Sequence, residues 1–280
     1  YTNVSMRRAM IDAMQYWVRE CDIDGYRCDV AGLVPDDFWA DVRPALDQIK
    51  PVFMLSEWEE NPNHLAVCFN MNYGWGMHIL LKQIAKGTRP ASAIDSLLAN
   101  NRARFPEGYY QMHFTQNHDE NTWNGTLTES FGSGADAFTV LTCTLDGMPL
   151  VYNGMESSLS KRLKFFEKDP IYWGNYGKTG FFETLLTLKH RNRALWNGPA
   201  GGQAIKINTG HDQQVYAFHR QKDVDRVVVV VNLSDQPQAI QLSGTTFEGT
   251  YTDVFSRQPV ELKADMPLTL KPWEYRVMTN

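Results

Sequence analysis

The sequence predicts an α/β fold in which parallel strands alternate with helices, followed by a small antiparallel β domain. Three observations carry this prediction. Short apolar runs alternate with segments of helical periodicity as far as residue 197, three of those runs stop on an acid, and beyond residue 198 the pattern changes to short alternating strands with polar turns. Strand-helix alternation with acids at the carboxyl ends of strands describes a barrel of parallel strands, whose reactive groups gather on that face. On pattern alone a flavodoxin-like open sheet fits as well.

The elements follow in order. Residues 5–20 place Met6, Ala9, Met10, Ala13 and Trp17 at helical spacing, which makes Trp17 a core residue, as is Trp39 in the next helix. The run Gly25-Tyr26-Arg27-Cys28-Asp29-Val30 is a strand that ends on Arg27 and Asp29, two residues apart and so on one face of the pleat. A turn at Gly32–Pro35, a helix over 36–49 and a strand Val52-Phe53-Met54-Leu55-Ser56-Glu57 complete a βαβ unit. The alternation continues with a strand near 67–71, helices between 77 and 101, a strand over 110–115, a helix over 135–145, a strand over 149–153 and a helix over 181–195. That gives five strands. Gly198-Pro199-Ala200-Gly201-Gly202 marks a boundary, so the domains are 1–197 and 198–280, the second holding strands at 214–220, 226–233, 238–242 and 273–278.

Composition removes several functions. The chain has 280 residues, 43% apolar and 21% charged, as an ordinary globular protein does, and its net charge of −5 argues against a nucleic-acid partner. The longest aliphatic run, Val227–Val231, is too short to cross a bilayer. Cys21, Cys28, Cys68 and Cys143 have no metal-ligand spacing and read as buried thiols. Gly132-Ser133-Gly134 lacks the lysine and strand of a phosphate loop.

Asp29, Glu57 and Asp119, each at the end of an apolar strand, suggest acid-base chemistry. Arg27 beside Asp29 favours an ionised carboxylate, whereas Glu57 follows Phe53-Met54-Leu55 and adjoins Trp58, surroundings that favour the protonated form. Taken singly, Asp29 with Arg27 is as well explained by a structural ion pair, while Glu57 is better explained by a solvated acid and His118 by a core histidine. Tyr73, Trp75, Trp123 and Trp173 fall after strands, where aromatic side chains either stack on sugars or, more often, pack loops, and Asp119-Glu120-Asn121 reads as a solvated loop ahead of a cation site.

At these residues the chain resembles the α-amylase family of glycoside hydrolases. GYRCD is similar to its nucleophile strand, LSEWE to its acid/base strand, FTQNHD to its third-carboxylate strand and GMPLVYNGME, residues 147–156, to its last barrel strand. The resemblance implies a partial (β/α)8 barrel, five C-terminal βα units, followed by a small antiparallel β-sandwich. It implies Asp29 as nucleophile, Glu57 as acid/base, Asp119 as a transition-state residue, and Arg27 and His118 as substrate contacts. The activity it implies is retaining cleavage of α-1,4-glucosidic bonds in starch or malto-oligosaccharides through a covalent glycosyl-enzyme. Cyclomaltodextrinase, α-glucosidase, transglycosylase or a non-catalytic carbohydrate-binding remnant are the alternatives. The resemblance begins at the helix before the family's fourth strand, so the chain is expected to be inactive alone and to homo-oligomerise through its strand edges. Gly32-Leu33 stands where many members carry Lys-His. No cofactor and no metal are expected; calcium would belong to the full-length enzyme, through a region not represented in this sequence. The resemblance places such an enzyme in secreted or periplasmic space ahead of the cytoplasm, and composition does not choose.

Overall fold

The structure is a computed structural model that describes residues 1–174 and 176–280. The element order is α1 (Val4–Cys21), β1 (Gly25–Cys28), α2 (Asp36–Asp47), β2 (Phe53–Ser56), α3 (Asn63–Val67), β3 (Met71–Tyr73), α4 (Trp75–Ala85), α5 (Ala93–Arg104) and β4 (Gln111–His113). It continues with α6 (Leu127–Phe131), α7 (Ala135–Thr144), β5 (Met148–Pro149) and α8 (Thr179–Arg191). Eight strands complete the chain: β6 (Ile205–Ile207), β7 (Val215–Lys222), β8 (Asp225–Asn232), β9 (Gln238–Gln241), β10 (Gly249–Asp253), β11 (Pro259–Leu262), β12 (Pro267–Leu270) and β13 (Tyr275–Thr279).

The first sheet runs β1-β2-β3-β4-β5, with β1 to β4 paired parallel. This strictly sequential order is that of a barrel wall and excludes the flavodoxin order, in which the chain reverses at a switch point. The chain divides into two compact units, Tyr1–Trp75 with Ala99–Met112, and Gly76–Leu98 with His113–Asn280.

In the first unit α1 begins on Asn3, whose side chain accepts from the Met6 N–H at 2.9 Å. Its core gathers Val18, Phe38, Trp39, Val42, Leu46, Val52, Met54 and Phe69. Trp39 is buried as expected, but Trp17 is 52% exposed. The helix carries two apolar stripes, and it is Ile11, Met14 and Val18 that meet the core, while Arg7 pairs with Asp37 and Asp41 of α2 at 2.7 Å. Met6, Met10 and Trp17 occupy the other stripe. At Gly25 a Cβ would stand 1.9 Å from the Phe53 carbonyl, so only glycine admits this approach of β1 to β2.

In the second unit the helices α4, α7 and α8 share one apolar cluster with Tyr216, Phe218, Val227, Val229 and Val277. The last eight strands form a six-stranded sheet, β11-β10-β13-β8-β7-β6, and a two-stranded one, β12-β9. The sequence pattern missed β6, β10, β11 and β12, which are short. It also placed the third strand too early: residues 63–67 are helical, and pairing begins at Met71. Of the four thiols Cys68 and Cys143 are buried, Cys28 is half-buried, and Cys21 at the end of α1 is exposed, contrary to expectation. No helix among the described residues is long and apolar enough to cross a membrane.

Candidate active site

The parallel register of β1 and β2 sets Arg27 opposite Leu55 and Cys28 opposite Ser56. Continued by one residue, it brings Asp29 level with Glu57, and the Glu57 N–H donates to the Cys28 carbonyl at 3.1 Å. Two acids thus leave adjacent strand ends at the same height. Arg27 joins them: Nη1 donates to Asp29 Oδ1 at 2.7 Å, Nη2 donates to Glu57 Oε1, and Nε donates to the Tyr73 hydroxyl at 3.2 Å. The sequence assigned Arg27 to Asp29 alone; the side chain is long enough for its guanidinium to reach both.

The environments of the two acids differ. The Asp29 side chain is 73% exposed and that of Glu57 8%. Burial pushes the Glu57 carboxyl above its ordinary range, and a hydrogen bond with Asp29 pushes the same way. The Val30 N–H, which donates to Glu57 Oε2 at 3.2 Å, and the Arg27 charge oppose the rise without cancelling it.

Residues behind Glu57 fix its backbone. Ser56 is fully buried, and its Oγ lies 2.8 Å from His64 Nδ1; His64 Nε2 faces Asp36 Oδ1 at 3.6 Å. Glu59 accepts from Gln111 Nε2 at 3.0 Å, and Gln111 in turn accepts from Asn101 at 2.8 Å. At Gly32 a Cβ would fall 2.2 Å from the Trp58 indole, so the glycine lets that ring lie on the turn after β1. None of this support was read from the sequence, because a lone Ser, His or Gln carries no pattern.

Tyr73 is the last residue of β3 and is buried, not a loop aromatic; its ring lies 5.7 Å from the Arg27 guanidinium carbon and is stacked on Trp75, with centroids 5.7 Å apart. Its sequence position conceals the bond to Arg27, since an apolar strand gives no hint which tyrosine hydroxyl will accept. Trp173 does lie in a loop, where it stacks on Tyr176 with centroids 5.9 Å apart.

His118 and Asp119 come together in the second unit, with Nε2 and Oδ2 3.5 Å apart and both side chains part-exposed. Buried Asn117 holds this bend: its Oδ1 accepts from the N–H groups of Asp119 at 3.1 Å and Glu120 at 2.8 Å. The segment that follows is not a solvated loop. Glu120 is buried, its Oε2 2.8 Å from both His78 Nε2 and Lys82 Nζ, and its Oε1 accepts from Asn124 at 2.7 Å. Burial works against this charge, yet the His78 and Lys82 hydrogen bonds outweigh it and hold the carboxyl down at about 2. With both oxygens engaged, Glu120 is not available as a cation ligand.

Comparison with known proteins places this arrangement. The alpha amylase catalytic domain matches residues 1–222 and the maltogenic amylase C-terminal domain residues 207–277. The chain belongs to the α-amylase family of glycoside hydrolases. It is 26% identical over 89% of its length to alpha-amylase MalA of Haloarcula japonica, covering 37% of that protein, and 26% identical over 99% to neopullulanase 2 of Thermoactinomyces vulgaris, covering 48%. A cyclomaltodextrinase of Thermoanaerobacter pseudethanolicus is 23% identical over 86% of the chain, which covers 42% of it. Among solved structures, the maltogenic alpha-amylase AmyB of Thermotoga neapolitana superposes with a TM-score of 0.84 at 24% identity, over 100% of this chain and 66% of that one. The chain therefore spans less than half the length of these curated relatives. The superposition carries the fold: five βα units of an amylase-type barrel and an antiparallel module.

Proposed function

We propose that this chain carries the acid-base machinery of a retaining glycosidase acting on α-1,4-glucosidic bonds of starch or malto-oligosaccharides. The observation that supports this most is the pair Asp29 and Glu57, level on adjacent strands, one exposed and anchored by Arg27, the other buried and drawn toward its protonated form. A retaining enzyme needs a carboxylate to attack the anomeric carbon and a carboxylic acid to protonate the leaving oxygen. Asp29 Oδ forms a bond to C1 as the C1–O bond breaks and the Glu57 proton passes to the departing sugar. Glu57, now a carboxylate, takes a proton from water, whose oxygen displaces Asp29 from C1. Asp119 and His118 are the groups that grip sugar hydroxyls, and the Arg27 guanidinium steadies the Asp29 carboxylate.

Relatives named amylase, neopullulanase and cyclomaltodextrinase support the substrate class and leave chain length and ring closure open. The test is proton NMR of the first products formed from maltoheptaose by the native protein. Initial release of the α-anomer, abolished in Asp29→Asn with the fold intact, is expected; initial β-anomer, or turnover undiminished by that substitution, removes the retaining assignment.

A further inference from the structure

We propose that Trp123, Phe165 and Phe166 form a stacking platform for a neutral α-glucan chain. This rests on the glycosidase reading for the ligand's identity, although its test does not require turnover. The three rings touch one another: centroids are 5.3 Å apart for Trp123 and Phe165, 6.3 Å for Trp123 and Phe166, and 4.9 Å for Phe165 and Phe166. They remain 55%, 44% and 86% exposed, respectively. A contiguous patch of exposed aromatic rings marks a surface at which a ligand can use their faces.

The base beneath them is rigid. Trp123 lies in a single π-helical turn, Glu120–Asn124, that follows Asp119 directly. Fully buried Asn121 ties this turn to the phenylalanine segment, donating to the Lys161 carbonyl at 3.2 Å and accepting from the Leu163 N–H at 2.8 Å. The Thr122 hydroxyl adds a bond to the Leu163 carbonyl at 2.8 Å. A preorganised surface loses little entropy on binding.

Size and charge select the occupant. The three rings, roughly 150–250 Å² each and only partly open, offer a few hundred Å², short of the about 800 Å² per partner of a stable protein interface. Three cations of this segment are matched: Lys161 pairs with Asp169, Arg162 with Glu129 at 3.1 Å and Lys164 with Glu167 at 2.7 Å. A ligand here meets flat apolar faces beside largely paired charges, which suits an uncharged polysaccharide.

The experiment is affinity electrophoresis of the 280-residue protein in gels with and without amylose, with calorimetric titration of maltoheptaose and sedimentation of each variant. Retardation by amylose that falls at least tenfold in affinity for Trp123→Ala and Phe166→Ala, but is largely kept by Trp123→Phe, is the expected result. Circular dichroism checks that each variant is folded. Asp29→Asn keeps the retardation, so loss of catalysis and loss of the platform are read separately. No retardation of the unsubstituted protein, equal retardation of Trp123→Ala, or rings that support a concentration-dependent dimer but no glucan binding each overturn the proposal.

Discussion

Asp29 and Glu57 stand level at the ends of two adjacent parallel strands, and one guanidinium, that of Arg27, holds both. Unequal burial, not the residue types, sets the two acids apart; in the proposed mechanism the exposed one attacks and the buried one holds a proton.

The coupling has a direct reading in a titration. Asp29 raises the proton affinity of Glu57 and Arg27 lowers it. In carbon-detected NMR of the labelled protein, Asp29→Asn is expected to move the Glu57 midpoint down and Arg27→Gln to move it up. Midpoints that shift the other way, or do not shift, would show that the two acids are not coupled through this contact.

Gly32→Ala is expected to destabilise the protein by about 1–3 kcal/mol, because the new methyl group overlaps the Trp58 indole. The thermal midpoint and Trp fluorescence report it together. An unchanged melt would mean that the indole moves aside without cost.

His113, the last residue of β4, is buried with Nε2 2.7 Å from the Asp146 carbonyl, and burial above all drives its pKa down to about 4. The unfolded chain takes up this proton near 6.5 and the folded one near 4, so stability present above pH 6.5 falls as the pH drops and levels off below 4. The loss amounts to about 3 kcal/mol. Urea titrations at neutral, intermediate and acid pH measure it, and in His113→Gln this share of the pH dependence disappears.

Glu120 has the opposite sign. Its folded pKa of about 2 lies below the ordinary value of 4.5, so its contribution is full above pH 4.5 and is lost as the pH falls through 2. Glu120→Gln leaves Lys82 and His78 facing a neutral group and is expected to cost about 3 kcal/mol at neutral pH. A variant as stable as the parent would show that the cluster is solvated in solution.

Much of this organisation is legible in the sequence, for physical reasons that can be named. The strand ends at Asp29 and Glu57 show because an apolar run that stops on an acid is a local pattern, whereas the third run misled: β4 ends at His113, and Asp119 lies beyond it at the start of the π-helical turn. The helices α2, α4, α5, α7 and α8 show because apolar residues recur along them at helical spacing. Trp17 misled because α1 carries two apolar stripes and periodicity does not say which faces the core. Glu120 and Asn121 looked solvated because their partners His78, Lys82 and Lys161 lie about forty residues away in sequence. Tyr73 and Arg27 are likewise 46 residues apart, and Ser56 and His64, though only 8 apart, lie on a strand and a following helix that share no periodicity.

Covalent trapping would identify the nucleophile chemically, without recourse to geometry. The native protein is incubated with a 5-fluoro-α-glucosyl fluoride, digested, and its peptides are weighed and fragmented by mass spectrometry. A fluoroglucosyl adduct on Asp29, absent from Asp29→Asn, is the predicted result; an adduct on another carboxylate, or turnover of the reagent with no adduct on Asp29, contradicts it.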